Sequence, residues 1–483
     1  MYSTARTLGF VLASALIGAA LSRVSAGWTA VAVGMLAGAM SFALWARKVS
    51  AEARRIGVLL SAWGVYYLSG VTLRGRGTQD IAASALDGAA LWRVVLVAVV
   101  ALVVVLGFFG FSERREGLGR GGTGNGALMA LGAFVVLSVL STAWSVFPSW
   151  TAYKSLEYAV GLILAVVLAR SVQSFSDLAS VVNTTWLLLG FMLASVWIGF
   201  ALSPGSALVE SRGVLPWQLR GVLPVLASNG VGDLAGTLLL VASSRLGHQG
   251  HHRRWWGLLA AIAATTMLLA QARSAVLGLV AGLIVLLVVV PGLRKRGWML
   301  GLVGGGAAYF FADAAMEYLR RGQSDAQLVS LSGRTQYWTA ATALTSESPL
   351  VGNGAFAAGR FGVLQELGAT ATSSLHNTWM EVLVGLGWSG LLLLIVGVSM
   401  IAFSLLRLAH KFGGSDGGWI LAEVSAVLSF EIVRSAFTSG AIIWHPANRF
   451  LLAVVVYLAW TGVAGGWSVL ATDVPVPDRG SPG

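Results

Sequence analysis

Apolar runs of about 20 residues, cut by short charged or glycine-rich punctuation, recur along almost the whole chain. No other feature constrains the fold as strongly. About 20 helical residues at 1.5 Å each cross the roughly 30 Å hydrocarbon core of a bilayer. A chain with many such runs cannot hide them all inside a soluble globule. Of the 483 residues 56% are hydrophobic and 11% are charged, against roughly 25% charged in soluble domains. A soluble enzyme and an intrinsically disordered chain are both excluded. Candidate spans start near positions 7, 27, 56, 94, 126, 155, 177, 222, 255, 274, 298, 379, 417 and 450. The predicted fold is an all-α polytopic membrane protein of about 14 (12–14) transmembrane helices. One large extracytoplasmic loop lies between the eleventh and twelfth.

The distribution of positive charge sets the orientation. With the N-terminus inside, the inner segments are 1–6, 47–55, 113–125, 170–176, 244–254, 294–297, 406–416 and the tail. They hold 18 of the 32 Lys and Arg, and each holds at least one, as the positive-inside rule requires. Arg47, Lys48, Arg54 and Arg55 fall inside, as do Arg294, Lys295 and Arg296. The first span lacks a clear cleavage site and is read as retained. The net charge of +12 points in such a protein to loop topology and anionic lipids rather than to nucleic acid. Thirteen of the 14 outer cations are arginine, the exception being Lys154. A guanidinium binds phosphate through a planar fork, but 28 of the 32 cations in the whole chain are arginine, so the excess alone decides little.

Most connections are short, and residues 314–378 are the exception. Loops of this length are functional or disordered, and this one is not of low complexity. SLSGRTQYWTAATAL predicts a surface helix with a serine cap. SESPLVGNGAFAAG, with Gly352, Gly354 and Gly359, predicts tight turns. Arg334, Arg360 and His376 stand in this loop, with His376 at the re-entry into the next span. His248, His251, His252 and His410 fall in basic inner loops, leaving His376 and His445 outside. His376 is either a plain interfacial residue or a base near neutral pH. A second outer segment, 203–221, carries Arg212 and Arg220 and leads to Ser228, Asn229 and Asp233 in an apolar helix. Polar groups there face a cavity or a partner helix. Arg273, between two spans with almost no loop, either snorkels as an anchor or pairs with an anion. Glu431 and Arg434 are spaced i,i+3 and are read as a structural pair.

Several chemistries lack their residues. The absence of cysteine removes disulfides, thiolate metal sites and thiol nucleophiles. The outer segments carry no DxD, HxxxH or HExxH pattern, and the chain has no P-loop. No metal, ATP or other cofactor is expected, so the substrate must arrive activated.

Taken together, four blocks resemble the O-antigen ligase and O-antigen polymerase superfamily of bacterial envelope proteins. The strongest comprises Gly333, Arg334, Trp338, Pro349, Leu350, Gly352, Gly354, His376 and Asn377, followed by Gly387 and Gly390 in LGWSG. A second comprises Arg220, Gly221, Asn229 and Gly232; a third is Ala272-Arg273-Ser274; a weaker one is STAWSVFPSW at 141–150. The resemblance covers about 130–465. The chain departs from the family's pattern at Gly385, where a glutamate is frequent, and in two extra N-terminal spans. A division follows into N-terminal helices over 1–125, a ligase-like membrane domain over 126–466 that includes the 314–378 loop, and a cytoplasmic tail over 467–483.

The resemblance implies a GT-C-like glycosyltransferase of the bacterial cytoplasmic (inner) membrane, with its active site facing the periplasm or exterior. Its partners would be an undecaprenyl-diphosphate-linked glycan donor, a glycan or glycolipid acceptor and membrane lipids. Arginines can replace a metal on the departing diphosphate. It implies Arg273 and Arg334 in that role, His376 as general base, and Arg220, Arg360, Trp338 and Asn377 in substrate binding, with Asn377 orienting the histidine or capping the helix. A ligase and a repeat-unit polymerase share this chemistry, and both readings stay open. A flippase of lipid-linked glycan is the reading from another class. It would call for internal repeats and broken helices, and the sequence shows no repeat.

Overall fold

A computed structural model describes residues 51–71, 88–110, 124–211, 215–248, 252–290, 293, 311–320, 322–324, 327, 330, 333–369, 374–412, 415–439, 442–443 and 449–461. The expected spans near 7, 27 and 298 lie outside these residues. So do the clusters at 47–48 and 294–296, Arg212, His251, His445 and the tail.

In hydrocarbon a backbone must satisfy its own polar groups, and the apolar runs accordingly become helices. They are α1 (Ala51–Ser69), α2 (Gly88–Gly110), α3 (Gly124–Leu140), α4 (Pro148–Ser171) and α5 (Phe175–Leu202). After the 200s come α6 (Ser228–His248), α7 (Arg253–Ala270), α8 (Arg273–Val289), α9 (Ala312–Arg320) and α10 (Arg334–Glu347). The last are α11 (Thr378–Lys411), α12 (Asp416–Ser435) and α13 (Arg449–Thr461). Among the described residues four stretches, Gly126–Trp144, Pro148–Ser171, Phe175–Leu202 and Thr378–Lys411, are long and apolar enough to cross a membrane. The protein is thus helical and membrane-embedded in character. Local chemistry sets the ends: Pro148 opens α4, and Ser174 with Asp177 forms a reciprocal capping box on α5.

The main packing pairs are α6 with α7, α8 with α12, α11 with α3 and α12, α4 with α13, and α1 with α2. Glycines bring some of them close. A Cβ on Gly278 would meet Phe430, and one on Gly282 would meet the Ala426 carbonyl, both on α12. At one end of the bundle Arg55 donates to Ser171 and Arg245 clasps Glu423 through two bonds of 2.6 and 2.8 Å. His248 stacks on Trp419 nearby. These are helix ends that the charge pattern puts on one side of the membrane.

The opposite end carries non-helical structure that the sequence did not announce. Four short strands between 208 and 226 pair as two small antiparallel sheets. In the first, β1 (Leu208–Glu210) pairs with β2 (Trp217–Leu219). In the second, β3 (Gly221–Val222) pairs with β4 (Val225–Leu226). The first is tied to the α7–α8 corner, because the Gln218 amide donates to the Ala270 carbonyl at 2.8 Å and Gln271 donates to the Trp217 carbonyl at 3.0 Å.

The described part of the long loop folds as a small unit. Ala341, Ala358, Val363, Leu364, Leu375 and Val384 make a core separate from that of the bundle. The predicted surface helix is present as α10, but the expected serine cap is not. Gly333, at φ +83°, holds the N-cap position, and Ser330 instead accepts from the Gly333 amide at 3.4 Å. Left-handed backbone there suits glycine and not serine.

Helix α11 is broken at Gly387, whose φ of 63° and ψ of −165° are not helical. A break strands amides and carbonyls, which need other partners. The turn at 349–354 supplies them. Asn353 and Gly354 donate to the carbonyls of Val384 and Gly385 at 3.0 and 2.9 Å. Trp388 and Ser389 donate to the carbonyls of Pro349 and Leu350 at 2.8 and 3.3 Å. The other face of the turn rests on 141–151. Ser141 Oγ accepts from the Ala355 amide, Thr151 donates to the Ala355 carbonyl, and the indoles of Trp144 and Trp150 donate to the carbonyls of Val351 and Phe356.

Candidate active site

Three consecutive residues after α12 form a floor at this end of the bundle. The carbonyl of Phe437 accepts from Arg334 Nη1 at 3.1 Å. The carbonyl of Thr438 accepts from Thr378 Oγ1 at 2.7 Å, and Ser439 Oγ accepts from the Asn377 amide at 3.2 Å. Arg334 and the segment 375–378 are therefore anchored to one strip of backbone. Arg334 opens α10 and 375–378 leads into α11.

His376 sits at the centre of this arrangement with φ of +56°. That conformation costs a residue with a side chain about 1–3 kcal/mol and persists only where neighbours enforce it. The neighbours are identifiable. Before it, the Leu375 carbonyl accepts from Trp338 Nε1 at 2.9 Å, and the Leu375 amide donates to Glu381 Oε1 at 2.7 Å. After it, Asn377 caps α11, its Oδ1 accepting from the amides of Trp379 and Met380 at 3.0 and 3.1 Å. Burial, and behind it the nearby Arg334 charge, push the His376 imidazole down to about 4. Both effects favour the neutral form of the imidazole at physiological pH.

The other predicted residues fall into different surroundings. Arg273 opens α8, and its Nη2 donates to Gln323 Oε1 at 2.8 Å. Arg220 is exposed between the two sheets, its Nε donating to the Ser206 carbonyl at 2.6 Å. Arg360 lies in a π-helical turn, Ala358–Val363, and is buried at 6% exposure, its guanidinium 5.5 Å from the Trp150 ring centroid. Trp338 binds the loop to itself through its indole N–H. The structure thus brings Arg334, Trp338, His376 and Asn377 to one strip. Arg273 joins the same end by another route. Gly232 abuts Ala272, next to Arg273, with no room for a Cβ, while its neighbour Asp233 pairs with Arg434, three residues before Phe437.

Asp233 does face partner helices, as its position in an apolar run requires. It accepts from Arg434 Nη1 at 2.5 Å and from Arg449 Nη2 at 2.6 and 2.7 Å. Glu431 bonds Arg434 at 3.1 Å, as its i,i+3 spacing predicts, and also pairs with Arg449. Two carboxylates and two guanidiniums compensate each other inside the protein, and removing any one would leave an uncompensated charge.

Sequence reasoning missed Glu381, Ser439 and Arg449. Glu381 had a signal, being a lone carboxylate in the first turns of an apolar helix, where charge is costly. Ser439 had none, because its role depends on two segments remote in sequence. Gly385, the departure from the family pattern, lies against the docked turn, where a Cβ would be a tight 3.2 Å from both the Gly354 carbonyl oxygen and Ala355 Cα.

Among the described residues no three His, Asp or Glu side chains converge as a metal site would require. No curated protein matches the chain. The sequence model of the O-Antigen ligase family (Wzy_C) matches residues 258–395. This stretch contains Arg273, Arg334, Trp338, Arg360, His376 and Asn377, and over it the chain is similar to the O-antigen ligase family.

Proposed function

We propose that the protein transfers a glycan from undecaprenyl diphosphate to an acceptor hydroxyl at the outer face of the cytoplasmic membrane, as an O-antigen ligase. The observation that carries this reading is His376, held in a left-handed backbone between Leu375 and Asn377, on the strip Phe437–Ser439 that also receives the Arg334 guanidinium. A base needs its lone pair free, and a departing diphosphate needs cations. The acceptor oxygen forms a bond to the anomeric carbon as the bond from that carbon to the diphosphate oxygen breaks. The proton of the hydroxyl passes to His376, and the electron pair of the broken bond leaves with the lipid diphosphate. Arg334 and Arg273 hold that developing charge. Arg220 and Arg360 complete the positive surroundings, while Trp338 and Asn377 shape the site. The ligase-like unit runs over 126–466, and the cation-bearing inner segments put 314–378 outside.

Purified protein supplied with the polyprenyl-diphosphate-linked glycan of its host's own membranes tests the reading. Release of free undecaprenyl diphosphate, lost in His376→Gln, is the expected result. No release from wild-type protein with intact substrate and acceptor would exclude transferase chemistry. A longer lipid-linked glycan as product would replace the ligase by a polymerase.

A further inference from the structure

We propose that Glu381 is a positioning residue for His376, a carboxylate clamp that holds the backbone on both sides of the histidine in its left-handed conformation. This rests on the reading of His376 as the base.

The geometry of the clamp is specific. Glu381 lies one turn inside α11, and its side chain reaches back past the start of the helix. Oε1 accepts from the Leu375 amide at 2.7 Å, immediately before His376. The same oxygen accepts from Ser439 Oγ at 3.1 Å, and that hydroxyl in turn accepts from the Asn377 amide at 3.2 Å, immediately after His376. One buried oxygen therefore ties down both neighbours of the histidine, one directly and one through a serine. The second oxygen lies against Gly359, where a Cβ would overlap it. The loop core thus leaves room for a carboxyl at this place. A carboxylate in the first turns of an apolar helix is expensive, and Glu381 is only 4% exposed. Leucine would pack there at less cost but could not accept from Leu375 or Ser439.

The clamp also links the histidine to Arg334. Ser439 belongs to the strip Phe437–Ser439 whose first carbonyl accepts from Arg334. A shift of Ser439 moves the histidine and the guanidinium relative to each other. Reaction geometry tolerates little of this, since a misplacement of about 1 Å can cost roughly 100-fold in rate.

The test separates the clamp from the base. Glu381→Ala should lower kcat roughly 10- to 100-fold, with the KM for the polyprenyl-diphosphate-linked glycan unchanged. Glu381→Gln keeps an acceptor for Leu375 and should recover most of kcat. Hydrogen exchange of the peptide containing 374–382, read by mass spectrometry without substrate, should quicken at residues 375 and 377 in the alanine variant. Ser439→Ala cuts only the serine arm, so it should quicken exchange at 377 and lower kcat less. It also keeps the test alive if Glu381→Ala does not fold. Quickened exchange with unchanged kcat in either variant would overturn the proposal, as would a glutamine variant as slow as alanine. His376→Gln with full turnover would sink the parent reading instead, whatever the exchange data show.

Discussion

The glycine turn at 349–354 and the histidine strip at 375–378 belong to one sequence block, yet they work in opposite ways. The turn matters for atoms it lacks. Gly352 and Gly354, at φ +63° and +105°, press against the backbone of Gly385 and against Ser145, with no room for a Cβ. The strip matters for atoms that are present, the His376 ring with the Arg334 guanidinium and the Glu381 carboxylate around it. The turn is a joint that holds a broken helix together, and the strip is the chemistry that the joint supports. Residues that recur together in a motif need not share a role, and geometry tells the roles apart.

The largest effect should come from damaging the joint. Gly352→Ala adds a left-handed side chain and a Cβ 2.5 Å from the Gly385 backbone. It should cost about 3 kcal/mol or more, seen as a fall in the thermal midpoint in detergent and as loss of folded protein. A stable, active Gly352→Ala would show that the joint is not rigid. The strip should respond in the reverse manner. His376→Ala should lose roughly 10²–10⁴ in turnover while its melting stays close to normal. His376→Gly should be as inactive yet about 1 kcal/mol more stable than the alanine variant, because glycine enters the left-handed region freely.

A smaller change sharpens the electrostatics of the strip. The base works only when neutral, so the rate falls as pH drops through its pKa. For His376 at about 4 the acid limb of kcat/KM should lie near that pH. Arg334→Gln removes the charge that helps lower the value, so its limb should move to higher pH, though not as far as 6.5, because burial is the larger cause. An unmoved limb would separate the two residues. Arg334→Lys keeps the charge but loses the planar fork; it should hold the limb in place while turnover stays below wild type. The smallest expected effect is none. Excess chelator should leave the rate unchanged, and magnesium-restored activity would overturn the assignment of the arginines.

The legible and illegible parts of the molecule divide by sequence distance. Helices such as α3, α5 and α11 were readable because a 20-residue apolar run carries its own instruction. The placement of α10 was readable too, but its cap was misassigned to serine, since nothing local announces the left-handed Gly333. The Glu431–Arg434 pair was readable at i,i+3. Arg449 and Ser439 were not, because each gains its role from a partner on another helix. The break at Gly387 was hidden for the same reason. A glycine in an apolar run reads as close packing, and only the docked turn reveals a helix interrupted.

That docked turn bears on how the protein can be cut. The family match ends at 258 on one side and 395 on the other. The residues that grip the turn from beneath, Ser141, Trp144, Trp150 and Thr151, lie more than a hundred positions upstream of that match. The strip that receives Arg334 and Asn377 lies downstream of it. An excised 258–395 fragment would carry every matched arginine and the histidine and still have no site. It would hold a broken helix whose docked turn has lost the donors to the carbonyls of Val351, Ala355 and Phe356, and a loop with nothing to lean on. The matched segment is a signature and not a portable module, and any chimera that preserves function must exchange 141–151 and 437–439 along with it.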